Sequence, residues 1–71
     1  MALTKAEMRV LQLLPTHLSL AEIAEELYTS RNTVKSQVAA IYRKLETTSR
    51  ADAVSRARRA GLIGVPEPSQ P

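Results

Sequence analysis

The chain has 71 residues, no cysteine and a net charge of +3, which limits it to one small domain without disulfides or a thiolate metal site. No apolar run approaches the ~20 residues that a membrane span needs, and the N-terminus lacks the apolar core of a signal peptide, so a soluble cytoplasmic protein is expected. Only two glycines stand among many Ala, Leu, Glu and Arg residues, a composition that indicates an all-α fold.

Four helix starts can be read in chain order. Thr4 followed by Glu7, and Ser19 followed by Glu22, are capping boxes: the hydroxyl accepts the third backbone N–H and the carboxylate reaches back to the cap's own N–H. Leu3 with Met8, and Leu18 with Ile23, are the apolar pairs that staple such a start. Ser30 and Ser49 are further N-caps, with Thr33 and Asp52 at the third helical position. Pro15 disfavours helical geometry at Leu14 and ends the first helix. Gly61 is placed to supply a left-handed residue after the fourth. The expected architecture is therefore a four-helix bundle-like domain with helices at about 4–14, 20–27, 31–46 and 50–60. The domain spans 1–64, and the Pro-rich stretch 65–71 reads as a disordered tail.

Charge is unevenly divided. Residues 1–29 hold Lys5 and Arg9 against Glu7, Glu22, Glu25 and Glu26, a net −2, whereas residues 30–60 hold eight basic residues against Glu46 and Asp52, a net +6. At 100° per residue the third helix places Val34, Val38, Ile41 and Leu45 on one arc, a core stripe. The opposite arc carries Asn32, Lys35, Ser36, Ala39, Ala40 and Arg43. A solvated basic face is the plain alternative for such an arc. The small alanines allow close approach to a groove wall, and Asn, Lys, Ser and Arg are side chains that bond base edges and phosphates. Only Tyr28 and Thr29 separate the second helix from the Ser30 cap. A short acidic helix, a tight connection and a longer basic helix form a helix-turn-helix, whose second helix enters the major groove. The start of the second helix at Ser19 offers backbone N–H groups to a phosphate.

Leu3-Thr4 with Glu7, Val10-Leu11, Glu22-Ile23-Ala24, Leu27, Ser30, Thr33-Val34-Lys35, Lys44-Leu45 and Ser49-Arg50 with Ala53 together resemble the DNA-binding domain of LuxR-type (GerE-type) bacterial transcriptional regulators. The resemblance covers about residues 3–63. It implies sequence-specific binding of double-stranded DNA, with Lys35, Ser36 and Ala39 facing bases and Ser30, Thr33 and Lys44 touching phosphate. The DNA-binding set expected from face and resemblance together is Ser30, Arg31, Asn32, Thr33, Lys35, Ser36, Ala39, Arg43 and Lys44. The fourth helix often mediates dimerisation in this family, which here points to Arg50, Ala53, Val54 and Ala57, although part of that side must cover the domain's own core. The sequence departs from the family pattern at Gln37, where histidine is common, at Glu46, where glycine is common, and at Pro15-Thr16-His17, which replaces a glycine-containing turn. Family members usually carry a receiver, ligand-binding or ATPase domain upstream. The expected partners are DNA, a second copy on DNA and RNA polymerase.

Two other readings use the same residues. Region four of a sigma factor shares the helix-turn-helix, but a fourth helix starting at Ser49-Arg50 favours the LuxR type. A protein-interaction module without DNA binding is opposed by Lys35 and Arg43 on the outward face. An enzyme is not expected. His17 stands alone in a turn, and the chain has no glycine-rich phosphate loop, metal-ligand spacing or paired-carboxylate motif, so no cofactor, metal or small-molecule site is expected.

Overall fold

Each of the four caps forms, and together they set where the helices begin in the computed structural model, which describes residues 2–64. In α1 (Lys5–Leu13) the Thr4 hydroxyl accepts the Glu7 N–H at 3.1 Å while Glu7 Oε1 accepts the Thr4 N–H at 2.9 Å. In α2 (Leu20–Glu26) Ser19 and Glu22 make the same reciprocal pair at 3.1 and 2.8 Å. Ser30 opens α3 (Arg31–Leu45) and Ser49 opens α4 (Arg50–Arg59), each hydroxyl accepting a backbone N–H at 3.1 Å. The helices therefore lie within a residue of the expected bounds. The tail expected at 65–71 lies outside the described residues.

Three of the helices end in one way. After α2, Thr29 N–H donates to Ala24 O at 2.9 Å and Tyr28 N–H to Glu25 O at 3.2 Å. The equivalent pairs close α3 (Thr47 to Tyr42, Glu46 to Arg43) and α4 (Leu62 to Ala57, Gly61 to Arg58). This is the Schellman closure, which requires one left-handed residue. Those residues are Tyr28 (φ 55°), Glu46 (φ 57°) and Gly61 (φ 78°). Only the last is a glycine, so Tyr28 and Glu46 hold a conformation that costs an L-residue about 1–2 kcal/mol.

Helix α1 ends differently because Pro15 follows it. Leu13 O accepts the Thr16 N–H and hydroxyl, and a side chain from α4 holds the rest of the turn: Arg50 Nε donates to Leu14 O at 2.8 Å, and Arg50 Nη2 donates to Thr16 O at 3.0 Å, with a longer contact to Leu13 O at 3.4 Å.

The core is built around α3, against which α1, α2 and α4 all pack. Val34, Val38 and Ile41 from α3 meet Val10, Leu11 and Leu14 from the α1 region, Ile23 and Ala24 from α2, and Val54 and Ala57 from α4. Leu45, the fourth member of the expected stripe, is half-buried at its edge. The turn at Gly61 folds the chain back so that Ile63 closes the core beneath α4. Among the described residues no helix is long and apolar enough to cross a membrane.

Candidate nucleic-acid interface

The burial of Val34, Val38 and Ile41 turns the other side of α3 outward. Arg31, Asn32, Thr33, Lys35, Ser36, Ala39 and Arg43 are all exposed, as is the Ser30 cap. Ala40 is half-buried at the edge of this face. Thus eight of the nine residues expected to meet DNA are accessible together on one helix and its cap. Ser30 Oγ and Thr33 Oγ1 lie 2.8 Å apart. One hydroxyl hydrogen is shared between them, which leaves the other to donate outward from the helix N-terminus, where a phosphate is favoured.

Lys44 is the exception. Its Nζ lies 2.7 Å from Glu7 Oε1, and the two side chains are only 13% and 10% exposed. The ammonium expected to touch phosphate is instead spent on a contact between α3 and α1, so we withdraw Lys44 from the direct contact set. Sequence reading placed Glu7 only in a capping box. The same oxygen accepts both Thr4 N–H and Lys44 Nζ, a pairing across 37 residues that no local pattern signals.

This geometry holds the Glu7 carboxyl below its ordinary range, chiefly through the Lys44 hydrogen bond and then through the Thr4 N–H, against an opposing effect of burial. A carboxyl whose folded pKa is depressed stabilises the fold fully above its unfolded value, near ~4.3 for glutamate, and loses that contribution as pH falls through the folded pKa. Wild type should therefore melt higher than Glu7→Gln at neutral pH, and the gap should close on acidification below about pH 4. Thermal melts followed by circular dichroism across that range check this; a gap independent of pH would show that the charge of Glu7 contributes nothing.

The residues expected at a dimer interface are placed elsewhere. Ala53 and Ala57 are 0% and Val54 is 8% exposed, because α4 has one apolar arc and spends it on the domain's own core. Arg50 is turned onto the carbonyls of α1. Ala53 and Ala57 are thus closed off within the domain, whereas Arg50 is half-buried and lines a surface cleft with Val54. Ser19 is exposed, but its hydroxyl and N–H are both engaged with Glu22. The Glu22 carboxyl, held low by its hydrogen bonds to the Ser19 N–H and hydroxyl, already supplies the negative charge that the start of α2 favours. His17 is exposed in the turn after α1. Among the described residues no three His, Cys, Asp or Glu side chains are grouped to hold a metal ion. Sequence reading also gave no role to Tyr28, which is 96% exposed. Its one signal was an aromatic immediately beyond Leu27, the last core residue of α2.

A short helix, a Schellman turn and a longer helix with an exposed polar and cationic face define a helix-turn-helix domain of the DNA-binding class. The chain belongs to the luxR family of bacterial regulatory proteins, whose family model (GerE) matches residues 1–57. This makes it a domain of DNA-binding transcription regulators, not of an enzyme family. Among solved structures it is similar to the response regulator ChrA of a heme-sensing two-component system. The two are 38% identical with a TM-score of 0.84, over 89% of this chain and 31% of the other. The chain thus spans about a third of that protein's length. No curated protein matches it.

Proposed function

We propose that the chain binds double-stranded DNA sequence-specifically to regulate transcription in the bacterial cytoplasm, with α3 reading the major groove. The observation that carries this reading is the exposed arc of Asn32, Lys35, Ser36, Ala39 and Arg43 opposite the buried stripe of the same helix. Lys35 donates to the O6 and N7 acceptors of guanine, and Asn32 pairs with the N6 and N7 of adenine. Ser36 tolerates more than one base, and Ala39 reads only by apolar contact with a thymine methyl. Ser30, Arg31, Thr33 and Arg43 position the helix against phosphates. The domain would act downstream of a receiver, ligand-binding or ATPase domain in a longer protein, and contact RNA polymerase once on its operator.

The test begins with a half-site selected from a random duplex pool, then measures a base-substitution series at one salt concentration. Lys35→Ala should cost ~1–3 kcal/mol on the preferred site and flatten the preference at one base position. Arg43→Ala should weaken all duplexes by a common factor and lower the log–log salt slope by ~0.9. If Lys35→Ala weakens every duplex equally, base reading by Lys35 is wrong and specificity lies elsewhere on α3 or in DNA shape. A wild-type chain with no salt-dependent shift of any duplex would instead favour a protein-interaction module.

A further inference from the structure

Arg9 belongs neither to the core nor to the outward face of α3. It is exposed on α1 and makes no ion pair among the described residues. Its side chain lines an open cleft with Ala6, Leu27, Tyr28, Thr29 and Gln37. Four of these side chains can donate a hydrogen bond: a guanidinium, a phenol, a hydroxyl and an amide. Not one of them is engaged by another side chain or by backbone among the described residues. No carboxylate lines this cleft, whereas Glu22, Glu25 and Glu26 line the neighbouring one that Tyr28 also borders. The first suits an anion, and the second repels one.

The cleft lies along the edge of the reading helix. At 100° per residue Thr33, Gln37 and Lys44 fall within about 40° of one another, between the buried stripe of α3 and its outward arc. Lys44 Nζ bonds Glu7 at 2.7 Å, so this flank is the one that faces α1, and Arg9 and Gln37 meet beside it. Thr29 carries the cleft up to the Ser30 cap, whose hydroxyl and that of Thr33 are themselves exposed. A helix lying in the major groove has a phosphate strand along each side. Tyr28 holds its left-handed turn at φ 55° although a glycine would fit with less strain, and at 96% exposure its ring covers no core. A hydroxyl used at the cleft accounts for a side chain that the fold does not require. Glu26 borders Arg9 in a further cleft, but the two make no ion pair, so the guanidinium is available to a ligand.

We propose that this cleft holds one phosphate of the DNA strand that runs along the α1 side of α3, with Arg9 as its charged contact and Tyr28 and Gln37 as neutral donors. This rests on the DNA-binding reading above. The planar fork of arginine matches two phosphate oxygens at once. Such a contact carries no base information; it fixes the angle and depth at which α3 enters the groove.

The experiment replaces the phosphates of the selected half-site one at a time with neutral methylphosphonates, and measures the affinity of wild type and of Arg9→Ala for each duplex. One replacement, beside the bases read by α3, should weaken wild type several-fold and leave Arg9→Ala unchanged. On the unmodified duplex Arg9→Ala should lose that same factor, keep the wild-type base preferences and lower the log–log salt slope by ~0.9. Tyr28→Phe, which removes only the hydroxyl, should lose a smaller factor at the same phosphate. Urea midpoints of Arg9→Ala and Tyr28→Phe should stay near wild type, since both side chains are exposed. Inorganic phosphate should displace DNA no more than sodium chloride of equal ionic strength; extra displacement that disappears in Arg9→Ala would make this a site for a free anion and overturn the strand contact. Wild-type affinity and salt slope in Arg9→Ala, or a response to every methylphosphonate identical to that of wild type, would overturn the proposal and leave the reading by α3 standing. A wild-type chain that binds no duplex would overturn both.

Discussion

Ile41→Ala is expected to leave a large fraction of molecules unfolded and to weaken DNA binding in proportion, without touching the DNA-facing surface. Ile41 is 0% exposed in the middle of α3, the helix on which the other three pack. Truncation removes three carbons from the centre of the core, and neighbours from four helices cannot all close on the gap. Leu or Ile to Ala changes of this kind cost ~2–5 kcal/mol. At roughly 0.05–0.15 kcal/mol per residue, a domain of this size has only about 3–9 kcal/mol of stability to lose. Ile41→Val should cost about 0.5–1.5 kcal/mol, and Ser36→Ala, on the opposite face, should leave the midpoint near wild type. Urea unfolding followed by circular dichroism measures all three. Binding by Ile41→Ala, corrected for the folded fraction, should match wild type. A midpoint for Ile41→Ala no lower than that of Ile41→Val would mean the core relaxes around the vacancy and is not organised on α3 as described.

What the sequence disclosed was mainly local chemistry. Thr4-Glu7 and Ser19-Glu22 announce their helices because a capping box needs only residues three apart, and both boxes form as read. The α3 stripe was legible because a helix of fifteen residues samples its period four times. The helix ends were less legible. A Schellman turn is recognised by its glycine, and two of the three here hold Tyr28 and Glu46 instead. The contacts that reassign residues are long-range. Lys44 looked like a free cation until Glu7 was folded against it, and Arg50 looked like a partner contact until α1 ended beneath it. The alanines of α4 could have served either a dimer or the domain's own core. Only packing decides between these uses, and it assigned them to the core. The outward face of α3 was readable for a complementary reason: it is what remains when one arc of a helix is buried.

Arg50→Ala should destabilise the domain by about 1.5–3 kcal/mol, the range for hydrogen bonds to a charged group, and should do so without altering lone-site DNA affinity per folded molecule. The cause lies at the end of α1. Helices leave their last carbonyls without partners, and the Schellman turn that satisfies them in the other three is blocked here by Pro15, which has no N–H to donate. Thr16 donates its N–H and hydroxyl to Leu13 O, and Arg50 supplies from α4 the donors that Leu14 O and Thr16 O lack, with a longer contact to Leu13 O. Its positive charge also lies at the negative end of the α1 dipole. Lysine can keep that charge but not the planar fork, so Arg50→Lys should recover only part of the loss. The same residue was expected from the family resemblance to serve dimerisation, and the two roles give opposite readouts. A clamp on α1 lowers the urea midpoint of a monomer and leaves cooperativity between DNA sites intact once the folded fraction is corrected. A partner contact lowers cooperativity and leaves the midpoint alone. An Arg50→Ala midpoint within about 0.5 kcal/mol of wild type, the range of ordinary surface substitutions, together with lost cooperativity, would return Arg50 to the interface.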